Sequence, residues 1–151
     1  MTTNVRVRGA VAGDHARLLP LAQELATSYD VEVSTFKAVL DSQLVAPTGL
    51  VLVAEWQEQI VGYALAQLHQ TFHANGPVVW VEEVMVAARH RGSGVGRALM
   101  CEIEVWGTRQ GAAYVALATR RAGSFYTTLG YEPSATYYRR TLSPAISCQS
   151  S

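Results

Sequence analysis

Residues 80–99 read WVEEVMVAARHRGSGVGRAL, a β-rich run that passes through Gly92, Gly94 and Gly96 into a helical pattern. The strand expected over Val78 to Val86 is long and apolar. From Gly92 onward Val95, Leu99, Ile103 and Trp106 recur every three or four residues, which is one apolar helix face, and Gly111 ends it. A strand that enters a helix through R-G-S-G-V-G-R gathers unbonded backbone N–H groups at the positive end of a helix dipole. Phosphate is the expected ligand. Glycine lets ligand oxygens approach the backbone and accepts the positive φ such a turn needs, and Arg91 and Arg97 add charge-assisted donors. The alternative is a helix start whose glycines serve turn geometry alone.

Two other phosphate motifs fail on residue type. A P-loop needs Gly-Lys-Ser/Thr after four spacers, and the only lysine in the chain is Lys37. A dinucleotide fingerprint needs a third glycine where Arg97 or Leu99 stands, in a repeated βαβ array.

Upstream, Val5-Arg6-Val7-Arg8 alternates as a first strand. Asp14 precedes Leu18, Leu21, Ala22 and Leu25 as the cap of a helix, with Pro20 inside it predicting a kink or a late start. Ser34 is the expected cap of a second helix that ends before Pro47. Leu50 to Trp56 and Ile60 to Leu68 form a hairpin about Gln57-Glu58-Gln59. Downstream, Ala112 to Thr119 reads as a strand, Ala122 to Leu129 as a helix stopped by Gly130, and Ala135 to Leu142 as a final strand. The order is βααβββαβαβ, in one domain over residues 1–142 with a frayed polar tail at 143–151.

A length of 151 residues suits one core, and 49% apolar against 16% charged residues with zero net charge argues against disorder or a polyanion partner. Nucleic acid is therefore not an expected partner. Cys101 in a helix and Cys148 in the tail do not form a disulfide framework. Met1-Thr2-Thr3-Asn4 has no signal pattern and no apolar run suits a membrane span, so a cytoplasmic location is expected.

Arg91-x-x-Gly94-x-Gly96 resembles the Q/R-x-x-G-x-G/A signature of the GNAT family of N-acetyltransferases, and the element order to about Leu142 is similar to that family's. The resemblance implies an α/β (α+β) GNAT fold, a mixed and mostly antiparallel sheet with a splayed central strand. It implies acetyl-CoA as acyl donor, the backbone of Val84, Met85 and Val86 bonding the pantetheine arm and the N–H groups of Gly92, Ser93, Gly94, Val95, Gly96 and Arg97 holding the pyrophosphate. Ser124-Phe125-Tyr126-Thr127-Thr128-Leu129-Gly130-Tyr131 resembles the family's F-Y-x-x-x-G-F/Y segment, which makes Tyr126 the general acid near the CoA sulfur. Thr119 departs from the family pattern, which often has asparagine there.

Acetyl transfer needs a neutral amine, a polarised carbonyl and a proton for the departing thiolate. Adjacent strand residues point to opposite faces, so of Glu82 and Glu83 only one can face a given pocket. Glu82 is expected to share a face with Trp80 and Val84, and it aligns with an acidic position of polyamine and glucosamine-phosphate acetyltransferases. It is taken as the base, direct or through water, with Glu83 as an amine-binding or structural alternate. Tyr29, Asp30 and Glu32 in the linker between the first two helices, with Trp80, are the expected acceptor-binding residues, suited to a cationic amine. His69 and His73 fall in a strand end and loop, so no metal site is expected. The expected activity is transfer of acetyl to a primary amine of a small molecule or peptide in a ternary complex. The alternatives are a CoA-binding sensor or subunit without efficient catalysis, and an acyltransferase using a longer acyl-CoA. Edge strands near Tyr137 and Tyr138 suggest a homodimer.

Overall fold

The computed structural model describes residues 4–144 and 147–148. Met1 to Thr3, and the tail residues 145, 146 and 149–151, lie outside the described residues. The chain divides into a compact unit up to Leu117 and a second from Ala118.

In the first unit, β1 (Arg6–Gly9) precedes α1 (His15–Leu25) and α2 (Val33–Val45), then β2 (Gly49–Trp56), β3 (Gln59–Thr71) and β4 (Gly76–Val86) follow as a meander. α3 (Val95–Arg109) crosses over to β5 (Val115–Leu117). The sheet runs β1-β2-β3-β4-β5, antiparallel except for the parallel pair β4 and β5, which the crossover through α3 joins. Gln57 and Glu58 both take positive φ, the backbone of a two-residue hairpin turn between β2 and β3.

Each sheet face has its own apolar cover. On one, Leu18, Leu21, Ala22 and Leu40 of α1 and α2 pack against Val51, Val53, Tyr63 and Met85. On the other, α3 brings Val95, Leu99 and Ile103, all buried, onto the strands. That approach depends on Gly62, where a Cβ would lie 3.0 Å from the Met85 carbonyl and 3.1 Å from a Val95 methyl.

Local expectations were corrected at several points. Asp14 makes no side-chain cap bond at the start of α1. Its carboxylate instead accepts from Arg8 at 2.8 and 2.9 Å, from Arg17 at 2.9 Å and from the Val11 N–H at 2.8 Å. Arg8 also donates to Glu55 at 2.9 Å, so the network ties β1, β2 and the entry to α1. Pro20 stays within α1. α2 begins one residue before Ser34, with Glu32 in the cap position, and the Ser34 hydroxyl donates to the Glu32 carboxylate at 2.5 Å.

In the second unit, α4 (Gly123–Thr128) is closed by Gly130 at φ 96°. The strand expected over Ala135 to Leu142 is absent: these residues are exposed and belong to no ladder. Their tyrosines and threonines have β propensity, but a strand exists only where another strand takes up its N–H and C=O groups. The edge on which the subunit-pairing expectation rested is therefore missing among the described residues, although Tyr137 and Tyr138 are exposed.

Candidate functional site

β4 supplies the centre of the site, and its register contains an irregularity that the sequence reading did not anticipate. Trp80 pairs with Gln67 and Val81 with Ala66, but Leu65 pairs with Glu83, so Glu82 is an extra residue in the ladder, a β-bulge. Beyond it every side chain changes face. Glu83 lies opposite Leu65 and Met85 opposite Tyr63, which puts Trp80, Glu83 and Met85 on the face covered by α1 and α2. Val79, Val81, Val84 and Val86 share the α3 face through their pairing with Leu68, Ala66, Ala64 and Gly62. Glu82 is exposed in the bulge, so its expected alignment with Trp80 and Val84 is corrected.

Energetics account for the bulge. In uninterrupted alternation Glu83 would follow Val79 and Val81 onto the apolar α3 face, where an unpaired carboxylate costs several kcal/mol, on the order of the Born penalty after relaxation. One inserted residue sends Val84 there instead.

Glu83 reaches a cavity of about 510 Å³ between α1, α2 and the sheet. Leu18, Ala22, Leu25, Phe36, Val39 and Leu65 form much of its wall, and Asp30 and Glu32 of the α1–α2 linker also line it. Asp30 and Glu32 are exposed and Glu83 is half-buried, so two carboxylates stand at the mouth and one within. The Tyr63 hydroxyl donates to Glu83 Oε1 at 2.6 Å. Burial first, then the neighbouring carboxylate, push that hydroxyl well above the ordinary phenol value, so it remains a donor. Tyr29, by contrast, is largely exposed, and neither it nor Trp80 lines the cavity.

Beside this face, the other edge of β4 opens. β5 pairs only with Val79 to Val81, through Val115 to Leu117, and the ladder goes no further, which leaves the edge at Val84, Met85 and Val86 beyond the last pair. This is the splay expected of the central strand. The glycine loop follows: Gly92 and Gly94 have φ of 75° and 93°, and a Cβ at either would point into open space. α3 makes its first turn bond from the Ala98 N–H to the Gly94 carbonyl at 3.0 Å, so the N–H groups of Val95, Gly96 and Arg97 precede the helical ladder. Glycine backbone open on its outer side, with a helix start behind it, fits a pyrophosphate. Arg91 is partly committed to the loop itself, donating from Nε to the Val86 carbonyl at 3.1 Å, while Arg97 is exposed. Ser93 donates to the His90 carbonyl.

The acetyltransferase (GNAT) domain model matches residues 47–133, from the start of β2 through α4. The chain belongs to the GNAT acetyltransferase family. Acyl transfer is thereby its class of chemistry. The GNAT fold extends over nearly the whole chain: an acetyltransferase of Trypanosoma brucei is 24% identical with a TM-score of 0.80, over 92% of this chain and 100% of that one. Glucosamine-6-phosphate N-acetyltransferase from Arabidopsis thaliana is 17% identical, TM-score 0.83, over 93% and 99%. An aminoglycoside acetyltransferase from an uncultured soil metagenomic sample is 15% identical, TM-score 0.75, over 92% and 97%. No curated protein matches the chain by sequence.

In the second unit, Tyr126 on α4 packs edge-on against Phe125 and Tyr131, with ring centroids 4.9 and 5.8 Å apart. Burial raises its hydroxyl above the ordinary phenol value. The Thr119 hydroxyl accepts from the Ala122 N–H at 3.0 Å, so the residue that departs from the family pattern serves the start of α4. His73 bonds the Tyr114 hydroxyl at 2.9 Å. Among the described residues no group of three or more His, Cys, Asp or Glu could hold a metal, and no helix is long and apolar enough to cross a membrane.

Tyr63 was missed by sequence reading. In isolation it is one aromatic in an alternating strand, and only the β3–β4 register, which sets Tyr63 against Met85, brings residue 63 to residue 83.

Proposed function

We propose that this chain transfers an acetyl group from acetyl-CoA to a primary amine of a small molecule or peptide, by direct attack in a ternary complex. One observation carries the reading: Glu83, a half-buried carboxylate in a cavity wall, is followed on the same strand by the open edge of Val84 to Val86. Backbone groups of Val84, Met85 and Val86 would hold the pantetheine arm, and the N–H groups of Gly92 to Arg97 the pyrophosphate. Bound there, acetyl-CoA supplies an acyl carbon joined to a sulfur leaving group.

An amine reaches the protein protonated and must lose a proton to become a nucleophile. Glu83 accepts it, directly or through a water, and the Tyr63 hydroxyl holds the carboxylate in place. Glu82, first expected in this role, is the exposed alternate. The nitrogen then bonds to the acetyl carbon as the carbon–sulfur bond breaks. The departing sulfur gains a proton, the part taken by Tyr126, and the nitrogen sheds its second proton, so that one proton in all passes to solvent. This role for Tyr126 rests on the F-Y-x-x-x-G-Y segment. Tyr29, Asp30, Glu32 and Trp80 are assigned to acceptor binding, Asp30 and Glu32 on the stronger ground that they line the cavity. An amine acceptor accords with fold relatives named for glucosamine 6-phosphate and aminoglycosides. A cytoplasmic location accords with two free cysteines.

Acetyl-CoA consumption across amine classes, with CoA binding measured by calorimetry, tests the reading. Glu83→Gln should lower kcat about 100-fold or more, Glu82→Gln should lose less, and Tyr126→Phe should slow transfer while CoA still binds. Failure of the protein to bind CoA would sink it.

A further inference from the structure

We infer that the acceptor is a lipophilic primary amine, a single ammonium on an aromatic or branched alkyl body, and not a polyamine, an aminoglycoside or a phosphorylated amino sugar. This rests on the acyl-transfer reading above and names the substrate class of that site.

The cavity sets the size: about 510 Å³ is the range of pockets that enclose small organic molecules. Its wall sets the chemistry. Leu18, Ala22, Leu25, Phe36, Val39 and Leu65 offer hydrocarbon to most of an occupant. A polyamine or an aminoglycoside would have to strip water from several ammonium or hydroxyl groups against that surface, and an unpaired polar group so placed costs affinity. A phosphate would meet no cation, since no Arg, Lys or His stands among the described residues that line the cavity. The carboxylates set the charge. Asp30 and Glu32 are exposed at the mouth, where they can draw in a cation but are screened by water. Only Glu83 is a carboxylate within, its Oε1 held by the Tyr63 hydroxyl at 2.6 Å, so the interior offers one negative charge to an ammonium. A body that fills the apolar wall and turns its one nitrogen to Glu83 matches both the hydrocarbon lining and the single inner carboxylate.

The test compares kcat/KM for acetyl transfer to phenethylamine, spermidine, kanamycin and glucosamine 6-phosphate, using the full chain and its Val39→Asp variant. Val39 is 46% exposed, so a carboxylate there is compatible with folding while it makes the wall polar. Phenethylamine should be preferred by roughly tenfold or more, and Val39→Asp should reduce its ratio to spermidine by about tenfold. Saturation-transfer NMR with phenethylamine, on protein carrying CoA, separates the two levels of the argument. Turnover that favours spermidine, kanamycin or glucosamine 6-phosphate would overturn the acceptor class and leave acyl transfer standing. Phenethylamine binding that Val39→Asp abolishes, without turnover of any amine, would uphold the cavity's preference for a lipophilic amine as ligand and overturn the acyl-transfer reading. Absence of both phenethylamine binding and its turnover would overturn the acceptor class.

Discussion

Asp14→Asn should destabilise the protein at neutral pH by about 2 kcal/mol and should do so progressively less in acid. Asp14 is 1% exposed and its oxygens accept from Arg8, Arg17 and the Val11 N–H. Those bonds, that from Arg8 foremost, hold its carboxyl at about 2, against an ordinary 3.8, and outweigh the opposing effect of burial. At about 1.4 kcal/mol per pH unit, the difference is worth about 2 kcal/mol of folding free energy. Its sign follows from proton binding. Between the two values the unfolded chain binds more protons than the folded one, so the contribution is complete above about pH 4 and is lost as pH falls towards 2. Asparagine resembles the protonated acid, so the variant lacks this contribution at every pH. Urea unfolding of both proteins from pH 7 to pH 2 measures it, because groups common to the two cancel in the comparison. A gap of about 2 kcal/mol at pH 7 that closes by pH 2 is the expected result. A gap that stays constant would refute the reasoning, since the cost would then be steric and independent of charge.

Tyr63→Phe removes only the hydroxyl that positions Glu83. It should lower kcat/KM by about tenfold with CoA affinity unchanged, and activity equal to the parent's would remove Tyr63 from the positioning of Glu83. Gly94→Ala forces a Cβ onto a residue at φ 93°, at a cost of about 1–2 kcal/mol. Calorimetry should therefore find CoA bound about tenfold more weakly, and an unchanged Kd would mean that the loop does not need that conformation to hold the donor.

Much of the fold was legible because its signals are local. The glycine run between a strand and an amphipathic helix, the β2–β3 hairpin and the Gly111 stop each depend on neighbouring residues. Elements that depend on partners were harder to read. Residues 135–142 have strand-forming side chains but no ladder. Glu32 takes the cap position with an extended backbone, although Ser34 is the better cap by type. Asp14 has the composition of a cap, yet two arginines, one of them on β1, claim its carboxylate. The faces of Glu82 and Glu83 were misassigned because counting by two assumes an unbroken ladder. The sequence does carry the correction: the valines at 79, 81, 84 and 86 slip by one residue between 81 and 84, as an inserted residue demands.

That single slip has two consequences at one place in the sheet. The ladder with β5 ends at Val81, and the extra residue comes next. A bulge sharpens the local twist of its strand, which works against continued parallel pairing with β5 and leaves the edge at Val84 to Val86 open. The same insertion turns Glu83 away from α3 and into the cavity under α1 and α2. An acyl donor laid along the edge and an amine held on the face would thus meet at one strand, with the carboxylate between them. Glu82 is in this view less a participant than the residue whose insertion gives its neighbour a role. Its acidity suits it to exposure, and the bulge is the position where exposure costs nothing.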